Sequence, residues 1–186
     1  MGDPDAHKEK PMKAEGAQPL LEALAAKKGA IIKEWMMRTL QTYPEHTFRF
    51  FSQEKDPFRN PVGFTLAEAF PALLDQVIAG PEVSLLSRLL DPVVRMRAVQ
   101  DFSAAQAVGF VFLLKKVIRE ALGDTKAGDS SGEGLAIVVA RIDEMALLAF
   151  DLFMKCREQI YEIKANEVRR RLFVLDRSRR EWADAG

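Results

Sequence analysis

The sequence predicts an all-α fold, a helical bundle whose last helix is far longer than the others. Three observations carry this. Beyond residue 18, apolar residues recur at spacings of three and four, the period of a helix with one buried face. No segment alternates apolar and polar residues with the period of two that marks a strand, and no internal repeat is visible. From about Leu135 to Trp182 neither proline nor glycine interrupts the pattern, a length that points to a coiled-coil-like extension.

Residues 1–16 hold Pro4, Pro11, Gly16 and many charges with almost nothing apolar, so 1–18 is expected to be a disordered tail. The single domain is then 19–182, of which 160–182 is a helical extension. Leu20, Leu21 and Leu24, then Ile31, Ile32, Trp35 and Met36, form the first helical pattern, with Gly29 as a break or weak point. The pattern ends near Tyr43-Pro44, because a residue before proline avoids the helical region. A short helix from Pro44 carries Phe48, Phe50 and Phe51.

Asp56-Pro57, Asn60-Pro61 and Gly63 make 52–63 an expected ordered loop. Thr65 followed by Glu68 matches a capping box and opens the next helix, which holds Leu66, Phe70, Leu73, Leu74, Val77 and Ile78, with Pro71 inside it. Gly80-Pro81 ends it. Leu85, Leu86, Leu89 and Leu90 form a short pattern, and Pro92 opens or interrupts its continuation through Val93, Val94, Met96 and Val99. Asp101 or Ser103 is expected to cap the next helix, with Gln106 completing a box on Ser103. That helix reaches about Leu122 and is apolar nearly all round until Lys115, which predicts a central, buried position. The Gly-, Ser- and Asp-rich stretch 123–134 predicts a mobile loop before the long final helix.

Composition narrows the function classes. Of 186 residues, 48% are hydrophobic, enough for a substantial core. The 27 basic and 27 acidic side chains cancel, so no global field attracts nucleic acid or an anionic membrane. A single cysteine, Cys156, precludes an intramolecular disulfide and fits a reducing compartment. The N-terminus has no signal-peptide pattern. The longest apolar run, 104–114, is cut by Lys115 and Lys116, short of the roughly 20 residues of a membrane span. A cytoplasmic location follows by elimination.

The residues show no catalytic apparatus. Neither a phosphate-binding glycine motif nor a GxSxG elbow is present. His7 and His46 are far apart in sequence, and with one cysteine they make no metal site of the usual spacing. Cys156 lies on an apolar stripe between Phe153 and Ile160, and reads as a buried, inert thiol. The most unusual polar cluster runs from Arg95 to Asp101. Arg97 and Asp101 share a face if the segment is helical, as a structural ion pair, and Arg95 with Arg97 offers a fork for a carboxylate or phosphate. In the extension, Val168, Leu172, Leu175 and Trp182 are spaced four, three and seven, a heptad-like stripe among arginines. Acidic residues interspersed with those arginines argue against nucleic-acid binding, and favour a partner helix, most simply from a second copy.

Four segments, in this order, resemble one family: Asp56-Pro57-Phe58-Arg59-Asn60-Pro61-Val62-Gly63; Val94-Arg95-Met96-Arg97-Ala98-Val99-Gln100-Asp101-Phe102-Ser103; Gly109-Phe110-Val111-Phe112-Leu113-Leu114-Lys115-Lys116; and Arg157-Glu158, Tyr161 and Asn166-Glu167-Val168. The chain resembles the N-terminal domains of RsbR-type co-antagonists of the RsbT kinase, of the RsbRD type, over roughly residues 20–175. The resemblance implies a sensory input domain of a stressosome-like or kinase-linked system: all-helical, globin-like without haem, homodimeric, its last helix leading toward a signalling domain such as STAS. The chain stops where that output domain would begin, so the expectation is action in trans on a STAS-domain or kinase component.

The expected sites are therefore Arg95, Arg97, Asp101 and Phe110 for a small ligand, where the 56–63 loop and the 110–114 helix meet that segment, and Val168, Leu172 and Leu175 for the dimer. No cofactor is expected. The alternative is a globin-like cofactor-binding or redox protein.

Overall fold

The computed structural model describes residues 17–54, 56–100, 102–123 and 129–184, without the side chains of 52, 129–131 and 174–184. Of the tail expected at 1–18, residues 1–16 lie outside the described residues, while Ala17 is buried against the bundle and Gln18 opens α1. Among the described residues the chain forms seven helices and no strand: α1 (Gln18–Ala26), α2 (Lys28–Leu40), α3 (Glu45–Gln53), α4 (Pro61–Ala79), α5 (Val83–Val99), α6 (Ala104–Leu122) and α7 (Asp129–Asp184). The all-α architecture with a long final helix is as the sequence predicts.

Several boundaries differ, each for a local reason. The first break falls at Lys27, and Gly29 lies within α2. The break lets the Lys27 ammonium donate to the Ala121 carbonyl at 2.6 Å, at the C-terminal end of α6. The loop expected over 52–63 is shorter, because α3 runs to Gln53 and α4 already starts at Pro61. Asn60, not Thr65, caps α4: its Oδ1 accepts from the Gly63 amide at 2.7 Å, with Pro61 in the first turn. The Asn60 Nδ2 donates to the carbonyls of Phe51 and Glu54, both at 2.8 Å, so one buried amide ties α3 to α4. Gly63 is required beside it, since a Cβ there would lie 2.3 Å from Asn60 Nδ2.

Pro92 neither opens nor ends a helix: α5 continues through it, held by buried Leu90, Val93 and Val94. Ser103 caps α6, and with Gln106 it forms the reciprocal capping box the sequence predicts. The second half of the glycine-rich stretch is helix, since α7 begins at Asp129; residues 124–128 lie outside the described residues. Gly134 is a packing contact, where a Cβ would come within 3.2 Å of Ala17 Cα.

The core forms where α2, α4, α5, α6 and α7 meet. At its centre Trp35 stacks on Phe70, ring centroids 3.8 Å apart, and Phe70 on Phe110 at 5.8 Å. The Trp35 indole N–H is satisfied by the Phe110 carbonyl at 2.6 Å, which joins α2 to α6. Cations from α7 close two other helix ends. Arg141 donates to the carbonyls of Val77 and Ile78, each at 2.7 Å, at the end of α4; Arg157 donates to Ala98 at 3.2 Å at the end of α5.

α6 is central but not buried all round, because Phe112 is 48% exposed. α4, rather than 104–114, is the one described helix long and apolar enough to cross a membrane by length and composition. Its Leu66, Phe70, Leu73 and Leu74 are fully buried in the bundle, as in a core helix.

Trp35→Ala removes the central ring and the α2–α6 hydrogen bond. Urea unfolding should show a loss of about 3–5 kcal/mol, and a loss below about 1 kcal/mol would contradict the central placement of Trp35.

Candidate functional site

Two regions stand out from the packed core: a cleft lined by the residues that hold the buried Arg97, and an apolar face along α7. The cleft does not follow the fork expected from sequence. Arg95 and Arg97 are two residues apart on α5, so they point to different sides. Arg95 is exposed and pairs with Asp91 one turn earlier at 2.7 Å, while Arg97 is 0% exposed. The expected Arg97–Asp101 pair needs a helix through 101; α5 ends at Val99, and Asp101 lies outside the described residues.

Arg97 is held instead by neutral oxygens and rings. Its Nη1 donates to the Tyr43 hydroxyl at 3.2 Å, and its Nη2 to the Thr42 hydroxyl at 3.1 Å and the Gln106 carbonyl at 3.0 Å. The guanidinium carbon lies 4.4 Å from the Phe102 ring centroid and 5.1 Å from that of Tyr43. No carboxylate among the described residues pairs with it. Burial pulls its pKa down, and Tyr43 acts in the other direction. Burial pushes the Tyr43 phenol up, against the pull of Arg97, so the phenol keeps its proton near neutrality. Two buried polar atoms have no partner among the described residues: Arg97 Nε and Gln100 Oε1.

Beyond the residues that hold Arg97, which does not itself line it, lies an open cleft of ≈610 Å3 between the turn after α2 and the start of α6, lined by Thr42, Tyr43, Thr47, Phe51, Gln100 and Phe102. Phe110, expected to be a ligand contact, is fully buried in the aromatic stack, its ring centroid 5.9 Å from the Arg97 carbon. The loop expected to join this site contributes Asn60 and Gly63 to a separate cleft with Met36 and Glu54; Phe51 lines both. Sequence reasoning misses Thr42 altogether, and Tyr43 registers there only as the end of a helix.

The apolar face runs along α7. Val138, Ile142, Met145, Ala149, Phe153 and Cys156 are buried against the bundle. On another side Leu147, Phe150, Met154, Tyr161, Val168 and Leu172 are 40–70% exposed. Beside Leu147 and Phe150, the Ala104, Ala105, Val108 and Phe112 side of α6 completes an apolar groove. Every described side chain from 161 to 173 is exposed. Val168 and Leu172 thus stand on the projecting part of the helix; the side chain of Leu175 lies outside the described ones.

His46 is exposed. Among the described residues no three His, Cys, Asp or Glu side chains converge as metal ligands would. Burial first, and then Asp91, pushes the Cys156 thiol up, with Arg95 opposing.

Residues 29–168 match the family described as the RsbT co-antagonist protein RsbRD N-terminal domain. The matched span includes the whole Arg97 cleft and ends on Val168 in the projecting helix. No curated protein and no solved structure matches the chain.

Because the raised thiol pKa favours the protonated form, Cys156 should resist alkylation in the folded chain. Iodoacetamide at neutral pH should modify it at least about tenfold more slowly than in the denatured chain. Equal rates would contradict its burial.

Proposed function

The chain belongs to the RsbT co-antagonist RsbRD N-terminal domain family, and from that premise we propose a non-catalytic input domain of stress signalling. It works as a homodimer joined along α7 and acts on a STAS-domain or kinase component through protein contact, in the cytoplasm. The observation that carries this reading is the geometry of the exposed α7 residues. Leu147, Phe150, Met154, Tyr161, Ala165, Val168 and Leu172 follow one another at spacings of three, four and seven. At about 100° per residue they fall within an arc of roughly 60°. That is one side of a coiled-coil seam sustained over more than three heptads.

A seam of this kind left in water is costly, and the neighbouring Phe112 widens it. A second copy presents the same stripe, so a two-fold arrangement buries both at once. The charges around it are balanced, with Arg171 paired to Glu167 one turn away, which favours a protein over a polyanion as partner. No observation favours the globin-like cofactor reading: the centre of the bundle is filled by Trp35, Phe70 and Phe110.

Light scattering at micromolar concentration should give about twice the 20.9 kDa chain mass. Leu147→Asp combined with Val168→Asp should give a monomer with unchanged helicity by circular dichroism. It should also lose at least about tenfold in affinity for an RsbT-type kinase or its STAS partner. A monomeric wild-type chain would overturn the reading.

A further inference from the structure

We propose that the cleft walled by Tyr43, beside the buried Arg97, binds a small organic monocarboxylate with an aromatic or apolar body. Arg97 is completely buried, yet no carboxylate among the described residues neutralises it. A buried ion without a counter-charge costs several kcal/mol, and neutral hydrogen bonds with cation–π contacts offset only part of that. Its Nε has no partner among the described residues. An arginine placed only for packing would be expected to have its donors satisfied.

The residues that hold Arg97 are the residues that line the cleft. Thr42, Tyr43 and Gln106 each accept a hydrogen bond from it, and Phe102 covers its face. The Thr42 hydroxyl spends its own proton on the Thr39 carbonyl at 2.7 Å. The Tyr43 hydroxyl accepts from Arg97 and its proton has no acceptor among the described residues. It is a phenol polarised by a neighbouring cation, with a free donor at the cleft wall, and it can deliver the charge of Arg97 to an anion as a charge-assisted bond. The cleft also lies at the N-terminal end of the 19-residue helix α6, whose dipole favours negative charge.

Two features select the ligand class. One buried cation behind the wall, with no lysine or arginine in the lining itself, suits a monoanion, not a phosphate dianion. The aromatic and apolar wall of Phe51, Phe102 and Pro44 suits an organic body.

A contact chain leads away from this cleft. Arg97 is followed by Ala98, whose carbonyl accepts from Arg157 of α7, and Arg157 donates in turn to the Tyr161 hydroxyl at 2.9 Å. Tyr161 belongs to the exposed seam, so the site stands one short relay from the surface proposed for dimerisation. The ligand inference deepens the sensory reading and rests on it for its meaning, but binding itself is measured without any signalling partner.

The test uses the full chain and three probes: 3-phenyllactate, its neutral diol analogue 3-phenyl-1,2-propanediol, and inorganic phosphate. Amide-resolved NMR titration should show saturable binding of phenyllactate, with a dissociation constant on the order of 1 mM, centred on 42–47 and 100–106. The diol should bind at least about tenfold more weakly, and Tyr43→Phe should weaken phenyllactate by about tenfold. Phe102→Leu, a change in the half-buried cleft wall that keeps an apolar side chain if Tyr43→Phe does not fold, should weaken it at least about threefold. Lys33→Gln, exposed on α2 away from both the cleft and the seam, should leave it unchanged. The inference is overturned if phenyllactate does not bind at concentrations on the order of 10 mM, if the diol or phosphate binds as well, or if neither cleft variant weakens binding. Such a result leaves the dimer measurement untouched, and a monomeric chain that binds phenyllactate fails the other way.

Discussion

The continuity of α7 is the constraint on which the rest of the molecule depends. One unbroken helix of 56 residues, about 84 Å long at the usual rise, supplies a wall of the core and then leaves it. Its inner face buries Val138, Ile142, Met145, Ala149, Phe153 and Cys156 against α5 and α6. Arg141 and Arg157 pin the ends of α4 and α5 to the same helix. Between Gly134 and Asp184 the sequence has neither proline nor glycine, so nothing in it gives the helix a hinge between the core and its projecting end. A shift of α5 or α6 against α7 is therefore carried along a rod.

Arg97 gives the bundle its one large polar interior feature among the described residues. It joins the corner after α2 to the end of α5 and the start of α6, three places where the chain changes direction. A methionine would fill much of the same space at lower desolvation cost, so the charge is not explained by stability alone. The same residues that hold it border the cleft, and its neighbour Ala98 is bonded to α7. Core, cleft and projecting helix thus share one corner of the fold.

Much of this is legible in the sequence. Helical periodicity, the Ser103 capping box, the end at Gly80 and the length of the last helix all follow from local rules, and the structure keeps them. The illegible part depends on distant partners. Thr65 and Glu68 satisfy the capping pattern, but Asn60 wins because it can also bond Phe51 and Glu54 across the α3–α4 connection. The glycines at 132 and 134 read as a loop, but Gly134 is needed where Ala17 packs closely. Arg97 stands out by its unusual sequence neighbourhood, but that neighbourhood points to the wrong partners, because Tyr43 lies 54 residues away. The heptad residues of the extension are visible as a short stripe; exposure of Leu147, Phe150 and Met154 lengthens that stripe into the domain itself.

The most direct measurement of the central claim is the distance between two copies of α7. Ala165→Cys in a Cys156→Ala background places a single spin label on the seam. Pulsed dipolar spectroscopy should give one narrow inter-copy distance on the order of 20 Å, as for helices with axes about 8–10 Å apart. Absence of any intermolecular dipolar coupling at concentrations where the chain is folded would contradict the account.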